Sequence, residues 1–341
     1  MPRGGDIEMI PETRRDDVRT ALQAAFGAGT AGELRVLVGG VSGAMILRFS
    51  IRGRSYVLRL EPERVAPHDR ERGFACMTAG AAAGAAPPVR FADPVTGVAI
   101  MDFISGQPLS EHPGGSVGMV RALGALTARV RSTPLFPMLG DYPEMIGVML
   151  TTLSGAGLFA PGLLDPHAEG LARIRDALPW DASSLVSSHN DPNPRNILFD
   201  GERLWLIDWE LGFRNDPLAD LAIVTTELAE TPELEVALLE AAFGQTPKPA
   251  MRARLGVMRL LTRLFYGCIV LEGFADAPRP APEASLAAFT PPAFRAAVAD
   301  GRLASGSPET AYAFGKMSLG AFIDGVAAPG FDEMLARVKQ G

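Results

Sequence analysis

Two prolines place the tightest limit on this chain. Residues 187–210 read Ser-Ser-His-Asn-Asp-Pro-Asn-Pro-Arg-Asn-Ile-Leu-Phe-Asp-Gly-Glu-Arg-Leu-Trp-Leu-Ile-Asp-Trp-Glu. Pro192 and Pro194 fall between Asp191 and Asn196. Proline has no backbone N–H and clashes with the preceding turn of a helix, so this stretch is expected to run as a stiff loop. Ile197-Leu198-Phe199 then reads as a short strand, Asp200-Gly201 as a hairpin turn, and Leu204-Trp205-Leu206-Ile207 as the returning strand with Asp208 at its end. Such a hairpin brings Asn196 and Asp208 together beside the loop that carries Asp191.

These residue types in this arrangement suit phosphoryl transfer. Magnesium is a hard cation that wants oxygen ligands and takes one or two from the protein, and Asp208 and the Asn196 carbonyl oxygen are the candidates. A separate carboxylate has to accept or orient the proton of an attacking hydroxyl, and Asp191 is the candidate base. His189 enters the catalytic set as the residue that fixes the loop through hydrogen bonds. Asp-Pro and Asn-Pro are common turn starters, and an Asp after a strand is often a cap, so the weight lies on the combination and not on any single position.

At 341 residues the chain is long for one core, and two lobes are the default. Its apolar fraction of 47% and charged fraction of 21% are ordinary for a globular protein. The net charge of −7 comes without a basic block, which argues against nucleic acid and membrane surfaces as partners and would tolerate a cationic substrate. Cys76 and Cys268 each stand alone in apolar surroundings, so neither a disulfide framework nor a zinc site is expected. The N-terminus lacks the apolar stretch of a signal peptide, and no run of about 18 apolar residues reads as a transmembrane helix. The chain reads as cytoplasmic, with monomer and homodimer both open.

Along the chain, Val18–Phe26 is periodic enough for a short helix. Leu34–Val38, Met45–Ile51 and Tyr56–Leu60 read as three strands of an antiparallel meander, because their connections are too short for crossovers. A glycine-rich turn, residues 39–43, joins the first two, and Arg52-Gly53 makes a tight turn before the third. A helix follows over Asp69–Ala79, then a further strand at Val98–Met101 that Ser105-Gly106 breaks. Beyond that point helices dominate: Ser116–Arg131, one starting at Thr231-Pro232-Glu233, and a long apolar one over Met251–Phe274. Ala275–Pro292 reads as a loop.

The strings His189-Asn190-Asp191-Pro192-Asn193-Pro194-Arg195-Asn196 and Ile207-Asp208-Trp209-Glu210 resemble the aminoglycoside phosphotransferase and choline kinase family. Asn215-Asp216-Pro217-Leu218-Ala219-Asp220 leans toward the choline and ethanolamine kinase branch. The resemblance is specific over residues 187–222 and weaker over 34–106. It implies an α+β fold, bilobal and protein-kinase-like, with a small N-terminal antiparallel sheet lobe (1–105) that binds ATP and a larger, mainly helical C-terminal lobe (106–341). It also implies magnesium, with Asp191 as base and Asn196 and Asp208 as metal ligands. Asp220 resembles a buried aspartate that holds the catalytic loop through backbone N–H groups, a part compatible with capping the helix from Leu221.

On the nucleotide side, Gly40, Ser42 and Gly43 could approach phosphates without side-chain obstruction, although glycine turns join many hairpins. Strand alternation puts Val57 and Arg59 on one face and Tyr56, Leu58 and Leu60 on the other. Arg59 then suits a phosphate-binding cation beside an adenine-lining Val57. The family often has lysine there, and arginine offers a planar fork in place of a point charge. Glu71 is the candidate partner of Arg59, or else belongs to a surface charge cluster with Arg70 and Arg72. Met101 and Phe103 lie on the expected hinge strand beside adenine, or pack as core.

The acceptor is expected to be a small-molecule hydroxyl substrate. Trp209, Glu210 and Asp216 are its candidate contacts, with Phe213, Phe265 and Tyr266, because quaternary ammonium groups bind aromatic faces with carboxylates nearby. Phe265 and Tyr266 could equally pack along their own helix. Choline or ethanolamine is preferred. An aminoglycoside, a sugar or homoserine stays open within the same fold, and a catalytically inactive kinase-like binding protein is the alternative of another class.

Overall fold

Alternating burial along residues 45–60 builds the first layer. The computed structural model describes residues 9–27, 34–37, 43–62, 67–279 and 281–340. Helix α1 (Arg15–Phe26) precedes strands β1 (Arg35–Val36), β2 (Met45–Ile51) and β3 (Arg54–Leu60); helix α2 (Pro67–Ala82) follows, then β4 (Val89–Asp93) and β5 (Val98–Asp102). All five strands pair antiparallel in the order β1-β2-β3-β5-β4. The β2–β3 hairpin closes over Arg52 and Gly53, at φ 50° and 77°. A two-residue turn of that hand matches the right-handed twist of the strands. One face of the sheet carries Leu47, Phe49, Leu58, Leu60 and Ile100 against Val18, Ala21 and Leu22 of α1, all buried. Each such aliphatic side chain contributes roughly 1.5–3 kcal/mol. The other face of β3 carries Val57 and Arg59, as the alternation predicts, and is only half-buried. The edge strand β4 goes unread in the sequence because it shows no strict alternation of burial.

The rest is mainly helical. Helices α3 (Gly115–Arg131), α4 (Tyr142–Gly155) and α5 (Asp165–Ala177) lead to four short strands: β6 (Val186–Ser188), β7 (Ile197–Phe199), β8 (Leu204–Leu206) and β9 (Phe213–Asn215). Then come α6 (Ala219–Glu227), α7 (Pro232–Phe243), α8 (Pro249–Glu272), α9 (Pro291–Ala299), α10 (Pro308–Ala327) and α11 (Phe331–Lys339). Strand β7 pairs with β8, as the hairpin reading requires, and β6 pairs with β9. Thr231 caps α7, accepting from the Leu234 N–H at 3.3 Å.

The chain divides into two units. The first takes residues 1–138, 186–220 and 227–246, and the second takes 139–185, 221–226 and 247–341. The first holds the sheet and both short strand pairs, with α3 packed on α7. The second is built on α8, which packs against α4, α10 and α11 and buries Leu255, Met258, Leu261, Leu264 and Leu271. Both cysteines are free and buried, and burial pushes each thiol up to about 12. Among the described residues no helix is long and apolar enough to cross a membrane.

The second unit contains a buried histidine with a consequence for acid stability. His167 is 1% exposed, stacks on Phe322 and places Nε2 at 3.2 Å from the Leu319 carbonyl. Burial lowers its pKa to about 4, against the backbone hydrogen bonds that raise it. A free histidine titrates near ~6.5, so between about pH 6.5 and 4 the unfolded chain binds a proton that the folded chain refuses. Stability should therefore fall as pH drops through that window, by on the order of 2–3 kcal/mol from this residue. Denaturant titrations at about pH 7 and 4.5 should show a smaller loss for His167→Leu than for the natural chain. Equal losses would show that His167 is not the group responsible.

Candidate active site

The loop and hairpin converge as the prolines and the Asp-Gly turn demand. Asp200 fixes the turn by accepting from the N–H groups of Glu202 and Arg203, at 2.9 and 2.8 Å, and from Trp205 Nε1 at 2.7 Å. The Ile207 N–H donates to the Asn196 carbonyl at 3.0 Å, which sets the strand carrying Asp208 beside Asn196. Asn196 Nδ2 donates to the Asp191 backbone carbonyl at 2.9 Å and to Asp191 Oδ2 at 2.8 Å. Asn193 Nδ2 donates to Asp191 Oδ1 at 2.8 Å, and its own Oδ1 accepts from the Arg195 N–H. Both carboxylate oxygens of Asp191 are thus held by neutral amides. Asn196 uses its nitrogen for these bonds, so its carbonyl oxygen is the end that could serve a cation.

The loop is anchored from behind. Asp220, 4% exposed, accepts from the N–H groups of His189 and Asn190 at 2.9 and 2.7 Å. That is the part the resemblance gives it. Asn190 adopts φ 64°, a left-handed conformation that asparagine tolerates better than most residues. Its amide nitrogen reaches the carbonyls of Ser188, Leu211 and Phe213, and its oxygen accepts from Asn215 Nδ2. His189 is fully buried; Nδ1 accepts from the Asp191 N–H at 3.3 Å and Nε2 faces the Ile207 carbonyl at 2.9 Å. A ring that accepts at Nδ1 must carry its proton on Nε2 to bond that carbonyl, so both nitrogens are engaged. His189 therefore fixes the loop and has no free nitrogen for proton transfer.

Asp208 also lies at φ 64°, in the left-handed region, where it turns the chain from β8 into the short turn at 209–211. Its Oδ1 meets Arg59 Nη1 at 3.0 Å. Arg59 Nε donates to Glu61 Oε1 at 2.6 Å and its Nη2 lies 3.3 Å from Glu210 Oε2. Burial opposes the charge on Arg59, but Asp208, Glu61 and Glu210 together hold its pKa above the ordinary value. The Glu210 side chain is 47% exposed, yet partial burial of its carboxyl and then the charge of Asp208 hold its pKa up to about 7, against the pull of Arg59.

A cavity of about 520 Å³ joins these groups, all within the first unit. That lies within the range of roughly 300–1,000 Å³ for small-molecule sites. Its polar end carries Asp191, Asn196, Asp208, Arg59, Glu61 and Glu210, and its apolar walls include Val57, Met101 and Phe103. Gly43 is exposed at φ 75°, whereas Gly40 and Ser42 lie outside the described residues.

Three expectations change. Glu71 does not partner Arg59: α2 buries the face that carries Phe74, Met77 and Gly80, and its 3.6-residue period turns Glu71, Ala75 and Thr78 to solvent. Trp209 borders the cavity but is 4% exposed, with its ring 4.6 Å from His189 and Nε1 donating to the Leu206 carbonyl, so most of its face is taken by packing. Asp216 is 1% exposed and accepts from the Leu218 N–H, a turn carboxylate away from the cavity. Phe213 and Phe265 are buried too, and Tyr266 packs between Phe265 and Phe314. Glu61, by contrast, goes unread in the sequence. The alternation that places Val57 and Arg59 would have found it, extended by one step past Leu60.

Helix α2 is fastened to the turn after Asp208. Arg72 Nη1 donates to the carbonyls of Glu210 and Gly212 at 2.9 and 3.0 Å, and Cys76 Sγ lies 3.4 Å from the Gly212 carbonyl. A Cβ at Gly80 would come within 2.6 Å of the Trp209 ring, and one at Gly212 within 2.8 Å of Cys76 Cβ.

Known proteins resemble this chain in family and in fold. The phosphotransferase enzyme family matches residues 33–255. A solved structure of a choline/ethanolamine kinase family protein from Mesorhizobium loti is 25% identical and superposes at TM-score 0.66, covering 96% of this chain and 100% of that one. The choline kinase LicA from Streptococcus pneumoniae is 13% identical at TM-score 0.59, covering 91% and 100%, a likeness of fold. Protein LicA of Haemophilus influenzae (strain ATCC 51907 / DSM 11121 / KW20 / Rd) is 43% identical over 64 residues, which span 19% of this chain and only 24% of that relative's length. The fold is the expected α+β, protein-kinase-like one, with a small antiparallel sheet and a larger helical part.

Proposed function

Because this chain belongs to the phosphotransferase enzyme family, we propose that it transfers the terminal phosphoryl group of ATP, with magnesium, to a hydroxyl of a small cationic alcohol of the choline or ethanolamine type. The observation that carries the reading is the meeting of Asp191, Asn196, Asp208 and Arg59 on one cavity. Functionally, residues 1–105 would hold the nucleotide, and 106–341 would supply the catalytic loop and the acceptor side.

The donor set fits magnesium. Asp208 and the side-chain amide oxygen of Asn196 are hard oxygen donors, and the Ile207–Asn196 backbone bond sets their two segments side by side. Among the described residues no three His, Cys, Asp or Glu side chains form a metal cage of their own, which suits an ion that takes one or two protein ligands and leaves other positions to phosphate and water. When bound, magnesium supplies charge neutralisation at the phosphate oxygens.

The chain's own residues do the rest. Val57, Met101 and Phe103 offer apolar surface to a purine. The N–H groups of Asp102 and Phe103 are spent on the carbonyls of Pro88 and Ser55, so the base would be read by other backbone groups of that segment. Arg59 neutralises the phosphates. Asp191 accepts a hydrogen bond from the attacking hydroxyl, and the amides of Asn193 and Asn196 hold it at one angle. Positioning and electrostatics supply most of the acceleration in such a loose transition state.

The substrate class rests on charge. Glu61, Asp191, Asp208 and Glu210 outweigh the cations at the polar end of the cavity, and the Mesorhizobium loti structure is of a choline/ethanolamine kinase family protein. ADP release should be measured with magnesium across choline, ethanolamine, aminoglycosides, sugars and homoserine. Turnover on the order of 1 s⁻¹ or faster is expected with choline or ethanolamine. Turnover with an aminoglycoside alone would move the acceptor class. Tight ATP binding without turnover on any of the alcohols would favour a kinase-like binding protein.

A further inference from the structure

We propose that Glu61 is the positioning residue for Arg59, a part performed from within strand β3 and its continuation and not from helix α2. The proposal rests on the reading of the cavity as a nucleoside triphosphate site.

Arg59 and Glu61 stand two residues apart, and the strand period sends both to the cavity face. A guanidinium carries five N–H bonds: one on Nε, where the chain joins the plane, and four on the terminal nitrogens. Glu61 accepts the Nε–H at 2.6 Å, and the two side chains are 10% and 14% exposed for Glu61 and Arg59. This contact fixes the guanidinium plane without using the terminal nitrogens. Nη1 then faces Asp208 at 3.0 Å and Nη2 faces Glu210 at 3.3 Å. Each terminal nitrogen carries a second N–H, available to an anionic ligand.

Glu61 is itself tied down. Its N–H donates to the Gly97 carbonyl at 2.8 Å, and its carbonyl accepts from Arg14 Nη1 at 3.0 Å. Gly97 sits at φ 67° in the β4–β5 turn, where a Cβ would come within 3.1 Å of Glu61 Cβ. The backbone of Glu61 is therefore held by the sheet and its turn, and its carboxylate reaches Arg59 from there.

The same geometry accounts for arginine at position 59. A lysine ammonium presents its three donors from one nitrogen. It cannot give Glu61 a donor at the bend of the side chain and still present a separate pair in one plane to Asp208 and to phosphate. Arg59→Lys is therefore not conservative in this chain, and Arg59 with Glu61 acts as one unit.

The test uses the full chain with Glu61→Ala, Glu61→Gln, Arg59→Lys and, as control, Glu71→Ala. Binding of a non-hydrolysable ATP analogue is titrated directly, and KM and kcat are measured from ADP release. Glu61→Ala should weaken analogue binding and raise KM for ATP by about tenfold or more, the scale of a lost hydrogen bond between charged groups. Glu61→Gln keeps an acceptor oxygen in the same shape and should fall between. The kcat at saturating ATP should stay within about threefold and KM for the alcohol should not move, a split that loss of packing alone would not give. Arg59→Lys should resemble Glu61→Ala, and the two together should cost little more than either, because they act on one contact. Analogue binding within about twofold of the natural chain for both Glu61 variants would overturn the proposal. So would an equal loss in Glu71→Ala. A natural chain that binds no analogue would overturn the nucleotide reading and the proposal with it, and the two results are distinguishable in one titration series.

Discussion

Asp191→Ala is expected to lower kcat by about 10²–10⁴-fold, the range for loss of a positioned general base. KM for ATP should stay within about threefold, because in the proposed role Asp191 serves the attacking hydroxyl and not the phosphates. Alanine is the right replacement. Asn193 Nδ2 and Asn196 Nδ2 both donate to the Asp191 carboxylate, so an asparagine at 191 would set its own NH₂ against at least one of them. The position is half-buried, so water can take the two amides that alanine leaves, and the loop keeps its anchor at Asp220. The thermal midpoint should therefore move by no more than about 3 °C. Single-turnover ADP formation and a melting curve on the same preparation check both halves. A variant retaining more than about a tenth of the natural kcat would remove Asp191 from the base role.

Asp208→Ala is expected to be as severe for a different reason. If Asp208 holds magnesium as proposed, its loss removes charge neutralisation at the reacting phosphate, worth several kcal/mol, so turnover should drop by on the order of 10³-fold. The fold should survive. Arg59 keeps Glu61 at 2.6 Å and Glu210 at 3.3 Å when Asp208 is gone, so its charge is not left uncompensated. The decisive measurement is the magnesium dependence of ATP-analogue binding by titration calorimetry. The natural chain should bind the analogue more tightly as magnesium is added, and the variant should lose most of that gain. Full activity of Asp208→Ala at saturating magnesium would show that the metal is held elsewhere.

Both expectations start from residues that local chemistry makes visible. Pro192, Pro194 and Asp200-Gly201 constrain the backbone so strongly that Asp191, Asn196 and Asp208 could be brought together on paper. The structure sets them on one cavity. Period-two alternation is equally local, and Val57 and Arg59 share the half-buried face that it predicts. Features that depend on which side of an element is covered were not legible in this way. The exposure of Glu71 follows from the buried face of α2, and no spacing within 67–82 says which face that is. Trp209 beside Asp208 reads equally as a binding face or as core, and only the structure shows its ring packed on His189, Phe136 and Gly80 at the border of the cavity. Strands β6 and β9, three residues each, are too short to carry a period at all. The acceptor side is the least legible, because recognition of a small molecule needs few groups and no fixed spacing among them.

The contact between α2 and the turn at 209–212 also bears on how this chain can change through descent. Gly80 and Gly212 have no side chain because Trp209 and Cys76 fill the space one would need. Neither glycine lines the cavity, yet a side chain at either would push the helix off the turn that follows Asp208. Cys76 and Gly212 are free to vary only as a pair whose combined bulk is kept, and Gly80 with Trp209 likewise. Selection for turnover and selection for a well-packed chain thus act on neighbouring residues for unrelated reasons, and a glycine kept unchanged in this turn speaks of volume and not of catalysis.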